Sequence, residues 1–173
     1  PTISQDSPIN FYNVSSRNVT FNITANDNYN ITNVSIWGNF SGSYIINQTN
    51  TSGINGNYSF IINNIADGRY NWSAQVCDSS SNCNITLNRT ITIDTTPPVI
   101  SAGGINATNI SLNGYIRINC TVTDSLIGLD TVLIGAEKPT LPQQNYSTSV
   151  LAGNTRYSDI LLNEVGNWTF SCY

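Results

Sequence analysis

GRYNWSA (residues 68–74) returns 98 residues later as GNWTFSC (residues 166–172), and that return decides the fold. Self-similarity at a fixed spacing marks repeated modules. Working outward, PTIS at residues 1–4 matches PVIS at 98–101, and NITAND ending at Asp27 matches NCTVTD ending at Asp124, both 97 residues apart. NVSI (Val34, Ile36) matches TVLI (Val132, Ile134) at 98, so one residue is inserted near the loop from Ser125 to Leu129. The repeat predicts two tandem domains, residues 1–96 and 97–173.

Within each copy the apolar residues alternate with polar ones, the period of a strand with one buried face. Val19, Phe21, Ile23 and Ala25 alternate with Thr20, Asn22 and Thr24, while Tyr70, Trp72, Ala74 and Val76 alternate with Asn71, Ser73 and Gln75. Turn clusters such as DNYN, SGING, NNIADG and CDSSSNC separate the runs. No stretch shows a helical period. About seven strands are predicted for the first copy, an all-β sandwich.

DTTPPVIS at the junction, a second strand ending in Asp before an (I/V)xxV strand, and DGxYxWxxxVxD late in the copy resemble the immunoglobulin-like repeats of bacterial and archaeal surface proteins. The resemblance covers nearly the whole chain. It implies two tandem immunoglobulin-like Greek-key β-sandwiches. Pro97 and Pro98 restrict φ and remove two backbone donors, so the linker between them is expected to be short and stiff. In immunoglobulin domains the second and sixth strands carry an inter-sheet disulfide. Cys120 stands at the place of Ile23 and Cys172 at that of Ala74, so the resemblance implies a Cys120–Cys172 bond. Cys77 and Cys83 remain to close their own hairpin. Zinc would want His or closely spaced cysteine pairs, and the chain has no His. Oxidised cysteines imply an oxidising compartment.

After Ala74 the first copy runs on through NITLNRTITI, whereas the second stops at Tyr173. The second sandwich is therefore expected to lack its last strand. Either further residues of a longer array complete it or a neighbouring subunit donates the strand. A start at Pro1 fits a mature product or a piece cut at a module border.

Charged residues are 9% of the chain against 39% hydrophobic, with a net charge of -4. The six basic residues (Arg17, Arg69, Arg89, Arg117, Lys138, Arg156) are scattered singly. They form no cationic stripe for nucleic acid or for an anionic membrane, and no segment is long and apolar enough for membrane insertion. A neutral polar surface takes the place of charge. Acceptor sequences for N-glycosylation stand at Asn13, Asn18, Asn22, Asn30, Asn33, Asn39, Asn47, Asn50, Asn57, Asn71, Asn84, Asn88, Asn106, Asn109, Asn119, Asn145 and Asn167, seventeen of 27 asparagines. Chance placement would give about six. A polar strand face raises the number by itself, because i and i+2 share a face. Asn is nonetheless a poor strand former, so covalently attached N-linked glycans are expected.

No acceptor sequence falls between Cys120 and Gln144. Leu126, Ile127, Leu129 and Leu133 lie in that bare stretch and, with Trp37 on an outward phase, are candidate contacts to another copy or a neighbouring immunoglobulin-like module. The alternatives are a buried loop there and, for Trp37, core placement through a bulge. Tyr70, Trp72, Trp168 and Phe170 fall on inward phases and read as core. Asp27, Asp94 and Asp124, with Asn28, offer oxygen ligands of the kind calcium takes, or simply cap turns. Without His, and with one lysine (Lys138), the usual nucleophile-base arrangements are missing, so no enzyme is expected. The chain reads as a structural subunit of an extracellular glycosylated surface filament or array. The alternatives are an adhesin or carbohydrate-binding module, and a passive spacer in a larger secreted protein.

Overall fold

The computed structural model describes residues 1–173. It contains sixteen strands and no helix, and divides into two compact units, Pro1–Thr96 and Pro97–Tyr173.

Unit 1 holds β1 (Thr2–Ser7), β2 (Tyr12–Val14), β3 (Val19–Asn26), β4 (Ile31–Gly38), β5 (Ile45–Asn50), β6 (Gly56–Ile62), β7 (Gly68–Asp78), β8 (Cys83–Ile85) and β9 (Arg89–Ile93). One sheet runs β1-β3-β6; the other runs β2-β9-β7-β4-β5, with β8 also on β7. Pairing is antiparallel except between β2 and β9, which are parallel. The chain changes sheet between β1 and β2, β2 and β3, β3 and β4, β5 and β6, and β6 and β7. Side chains from both sheets meet in one cluster, in which Phe21, Ile23, Val34, Ile36, Trp72, Ala74, Ile91 and Ile93 are completely buried. Each large apolar side chain so buried contributes about 1.5–3 kcal/mol.

Nine strands stand where about seven were expected. The additions, β2 and β8, are three residues each, too short to display alternation. β2 exists through its pairing with β9, and β8 through the hairpin that the Cys77–Cys83 disulfide closes.

Unit 2 holds β10 (Val99–Ile105), β11 (Tyr115–Thr123), β12 (Leu133–Glu137), β13 (Gln144–Ser147), β14 (Ser149–Ala152), β15 (Thr155–Leu161) and β16 (Thr169–Cys172). Its sheets are β10-β11-β15-β14 and β13-β12-β16. Ile116, Ile118, Cys120, Val122, Val132, Ile134, Ala136 and Ile160 form the buried core. The Cys120–Cys172 disulfide ties β11 to β16, one strand from each sheet, with Cα atoms 6.4 Å apart.

Two local devices recur between the units. Tyr70 Oη donates to the Ala66 carbonyl at 2.9 Å, and 98 residues later Trp168 Nε1 donates to the Glu164 carbonyl at 3.2 Å. Each anchors the corner before its strand, and Gly166 takes a φ of +141° there that side chains rarely adopt. Likewise Asp27 accepts amide N–H groups from Tyr29 and Asn30, and its counterpart Asp124 accepts from Leu126 and Gly128.

Asp67 fastens the end of unit 1. Its carboxylate accepts from the Thr95 hydroxyl at 2.8 Å, the Thr95 amide at 3.2 Å and the Thr96 hydroxyl at 3.0 Å, with Arg17 Nε at 3.3 Å. The Thr95 hydroxyl, followed by the other donors and the Arg17 charge, holds the Asp67 pKa below its ordinary value. A carboxylate lowered on folding stabilises above its unfolded pKa, about 3.9, and that contribution disappears as pH falls through the folded pKa. Asp67→Asn is therefore expected to lower the melting temperature at neutral pH. It should also flatten the loss of stability below about pH 4, measured by thermal melts across that range; an acid limb as steep as wild type would exclude this role.

Candidate functional site

None of the seventeen acceptor asparagines is buried. Asn18, Asn30, Asn57, Asn71, Asn84, Asn88, Asn106, Asn109, Asn145 and Asn167 are among those exposed to solvent. The strand alternation explains this: in NVT the middle Val19 is buried while Asn18 and Thr20 face out, and in NIT the middle Ile31 is buried between Asn30 and Thr32. Ile85, in the three-residue strand β8, is an exception at 52% exposed.

The asparagines differ in what their amide nitrogens do. Asn22 Nδ2 donates to Ser7 Oγ at 2.9 Å, and Asn47 Nδ2 donates to the Gly38 and Ile45 carbonyls, each at 2.9 Å. Asn84 Nδ2 reaches the Pro1 carbonyl at 3.3 Å. Asn18, Asn57, Asn71, Asn88 and Asn106 instead accept through Oδ1. A glycan attaches to the amide nitrogen, so the second group is the better placed.

The carboxylates are engaged in local structure. Asp78 receives the Asn82 side-chain amide first of all, then the Asn82 and Ser80 backbone amides, which lowers its pKa. Asp159 forms a fork with Arg117 at 2.7 and 2.6 Å and is lowered by that bond. Of the calcium candidates, Asp27 is taken by the turn amides of Tyr29 and Asn30, Asp94 accepts the Thr96 amide at 3.0 Å, and Asp124 caps its own loop. No three acidic, Cys or His side chains cluster as a metal site.

The candidate contact residues separate. Leu126 and Ile127 are 40% and 42% exposed. Leu129 is half-buried and packs against the unit 2 core, as the buried-loop alternative for this stretch has it. Leu133 is half-buried at the start of β12. Trp37 is half-buried too, since the register slips between Ile36 and Trp37 where β4 pairs β5. Its ring stacks on Tyr44 at 6.3 Å and 20°, and Nε1 donates to Gln75 Oε1 at 3.2 Å. The Tyr44 hydroxyl lies 2.6 Å from Ser73 Oγ and 2.7 Å from Asn88 Oδ1. This aromatic pair was not legible in the sequence, as it joins β4 to the residue preceding β5.

A second feature missed by alternation lies in unit 2. A cleft of about 490 Å³ opens beside β16, lined by Ile105, Ile110, Leu112, Leu162, Val165 and Phe170 among others.

No protein-family model matches the chain, and no curated protein matches it in sequence. Among solved structures, it is similar to the fibronectin(III)-like modules of CbhA from Clostridium thermocellum, with 14% identity and a TM-score of 0.47 over 99% of this chain and 91% of that one. It is similar to a 1.5-MDa bacterial ice-binding adhesin, with 15% identity and a TM-score of 0.41 over 94% of this chain and 54% of that one. The D00-D0 domain of intimin shows 12% identity and a TM-score of 0.40 over 99% and 91%.

Proposed function

We propose that this chain is a structural segment of an extracellular, N-glycosylated surface filament or array, with no catalytic role of its own. The observation that carries the reading is the placement of all seventeen acceptor asparagines outside the two cores. Both sandwiches can be sheathed in neutral sugar without disturbing a buried side chain. Two disulfides and no free cysteine suit an oxidising compartment.

Intact mass measured on natively produced protein, before and after chemical deglycosylation, tests the reading. A mass well above 18.8 kDa that collapses on deglycosylation is expected, and the bare polypeptide mass would refute it. Mapping of the sugar-bearing peptides should place glycans on Asn57, Asn71 and Asn106 and leave Asn22 and Asn47 unoccupied. Imaging of the same material should show regular polymers.

The stacked Trp37–Tyr44 pair, ringed by Gln75, Ser73 and Asn88, supports a second reading as an adhesive or carbohydrate-binding module, since aromatic faces with polar neighbours suit sugar rings. Monomeric protein that binds glycans, and loses that binding on Trp37→Ala, would favour it over the first.

A further inference from the structure

On the outer face of the larger sheet of unit 1, Trp37 of β4 stands directly opposite Ser73 of β7, and Ser35 stands opposite Gln75. Tyr44, the residue before β5, lies across this patch. Its ring stacks on Trp37, and its hydroxyl reaches the completely buried Ser73 Oγ at 2.6 Å. Tyr44 is thus held at both ring and hydroxyl, yet it is 39% exposed. The same hydroxyl donates to Asn88 Oδ1 at 2.7 Å. Asn88 is itself exposed and opens the acceptor sequence Asn88-Arg89-Thr90.

The chemistry of an N-linked sugar gives that contact a direction. When a glycosyl diphosphate donor transfers its sugar, a bond from Nδ2 to the anomeric carbon replaces one N–H. The proton and the diphosphate carrier leave, and the side chain becomes a secondary amide, planar and trans like a peptide bond. Trans sets the anomeric carbon across the C–N bond from Cβ, and therefore on the same side as Oδ1. At Asn88 that side faces Tyr44. Elsewhere Oδ1 accepts from the Asn64 amide at Asn18, from Thr24 at Asn57, from Thr90 at Asn71 and from the Arg117 amide at Asn106. A sugar starting at Asn88 meets aromatic faces, whose negative charge attracts the C–H groups of a sugar ring. It also meets a donor: Trp37 Nε1 can only donate, so it occupies Gln75 Oε1 at 3.2 Å and leaves Gln75 Nε2 for a sugar hydroxyl.

We propose that the first sugars of a glycan on Asn88 pack against the Tyr44–Trp37 pair, so that these rings are a seat for the chain's own carbohydrate. The inference rests on the reading of the chain as N-glycosylated. It gives the aromatic pair an internal occupant in place of the foreign glycan of the second reading. A seated glycan covers the half-buried Trp37 and ties Tyr44, before β5, to Asn88, before β9.

The test uses natively produced, isotope-labelled protein. Peptide mapping first establishes which asparagines carry sugar. Nuclear relaxation is then expected to give the first sugar at Asn88 an order parameter of about 0.8, close to rigid backbone, against less than about 0.6 for sugars at other occupied sites such as Asn57 and Asn106. Its ring protons should show Overhauser contacts to Tyr44 and Trp37 and shift upfield under their ring currents. Tyr44→Leu should bring the Asn88 value down to that of the other sites and leave theirs unchanged; the wild-type contacts decide the matter if that variant fails to fold. A sugar at Asn88 that is as mobile as the rest and touches neither ring overturns the seat and leaves the glycoprotein reading standing. Asn88 bare beside occupied sites elsewhere does the same, whereas a chain bare at every site removes both together.

Discussion

Replacing both Cys120 and Cys172 by alanine is expected to lower the stability of unit 2 by about 4 kcal/mol and leave unit 1 untouched. The bond spans 52 residues, and loop closure over that length restrains the unfolded chain by about 4 kcal/mol. The Cys77–Cys83 bond spans 6 residues, and the same relation gives about 2 kcal/mol. Small domains have total stabilities of about 5–15 kcal/mol, and unit 2 also has a smaller buried core than unit 1. Its melting transition should fall by on the order of 20 °C, read by calorimetry as a second, earlier peak. Unit 1 suggests the matched control, since Ile23 and Ala74 fill the equivalent places and are completely buried. Cys120→Ile with Cys172→Ala should recover part of the loss through packing. A double alanine variant that melts like wild type would show that the bond does not constrain this unit.

Trp72→Ala should cost unit 1 about 3–5 kcal/mol, the usual range for emptying a buried aromatic site. Trp72 is completely buried, meets the Phe21 ring edge-on at 4.8 Å and 68°, and lies 6.0 Å from the Arg89 guanidinium carbon. Removing it leaves a cavity between the two sheets where β9 closes over the core. Trp72→Phe separates volume from chemistry. The Trp72 Nε1 has no hydrogen-bond partner, so the phenyl ring sheds an unsatisfied donor while keeping most of the packing. It should cost less than about 1.5 kcal/mol, as volume-tolerant swaps do. Denaturant unfolding followed by circular dichroism measures both; equal losses for the two variants would mean that the part of the indole a phenyl ring cannot fill, and not the volume the two rings share, governs the site.

The strands that could be read from sequence are those in which one side chain in two is buried. β3 alternates cleanly, with Val19, Phe21, Ile23 and Ala25 buried between more exposed neighbours, because it is central in its sheet with one face on the core. β4 defeats the same reasoning. Val34, Ser35 and Ile36 are consecutively buried, Ser35 satisfied by Thr49 at 2.9 Å, and the slip before Trp37 shifts the phase. Leu129 lies in a loop, where no period links position to burial. The cleft of unit 2 was not legible, since alternation describes a strand's own side chains and is silent about what lies beside its edge. The seventeen acceptor sequences could be counted from sequence, but not which amide nitrogens already donate to the backbone.

The parallel pairing of β2 with β9 has a kinetic consequence. It brings Tyr12 beside Ile91, near the two ends of unit 1, so this contact must close almost the whole unit before it is rewarded. Topologies dominated by such distant partners fold slowly, on the millisecond-to-second scale. On a ribosome, unit 1 stays open until residue 93 has emerged, and its completion is the last event in the making of that unit rather than the first.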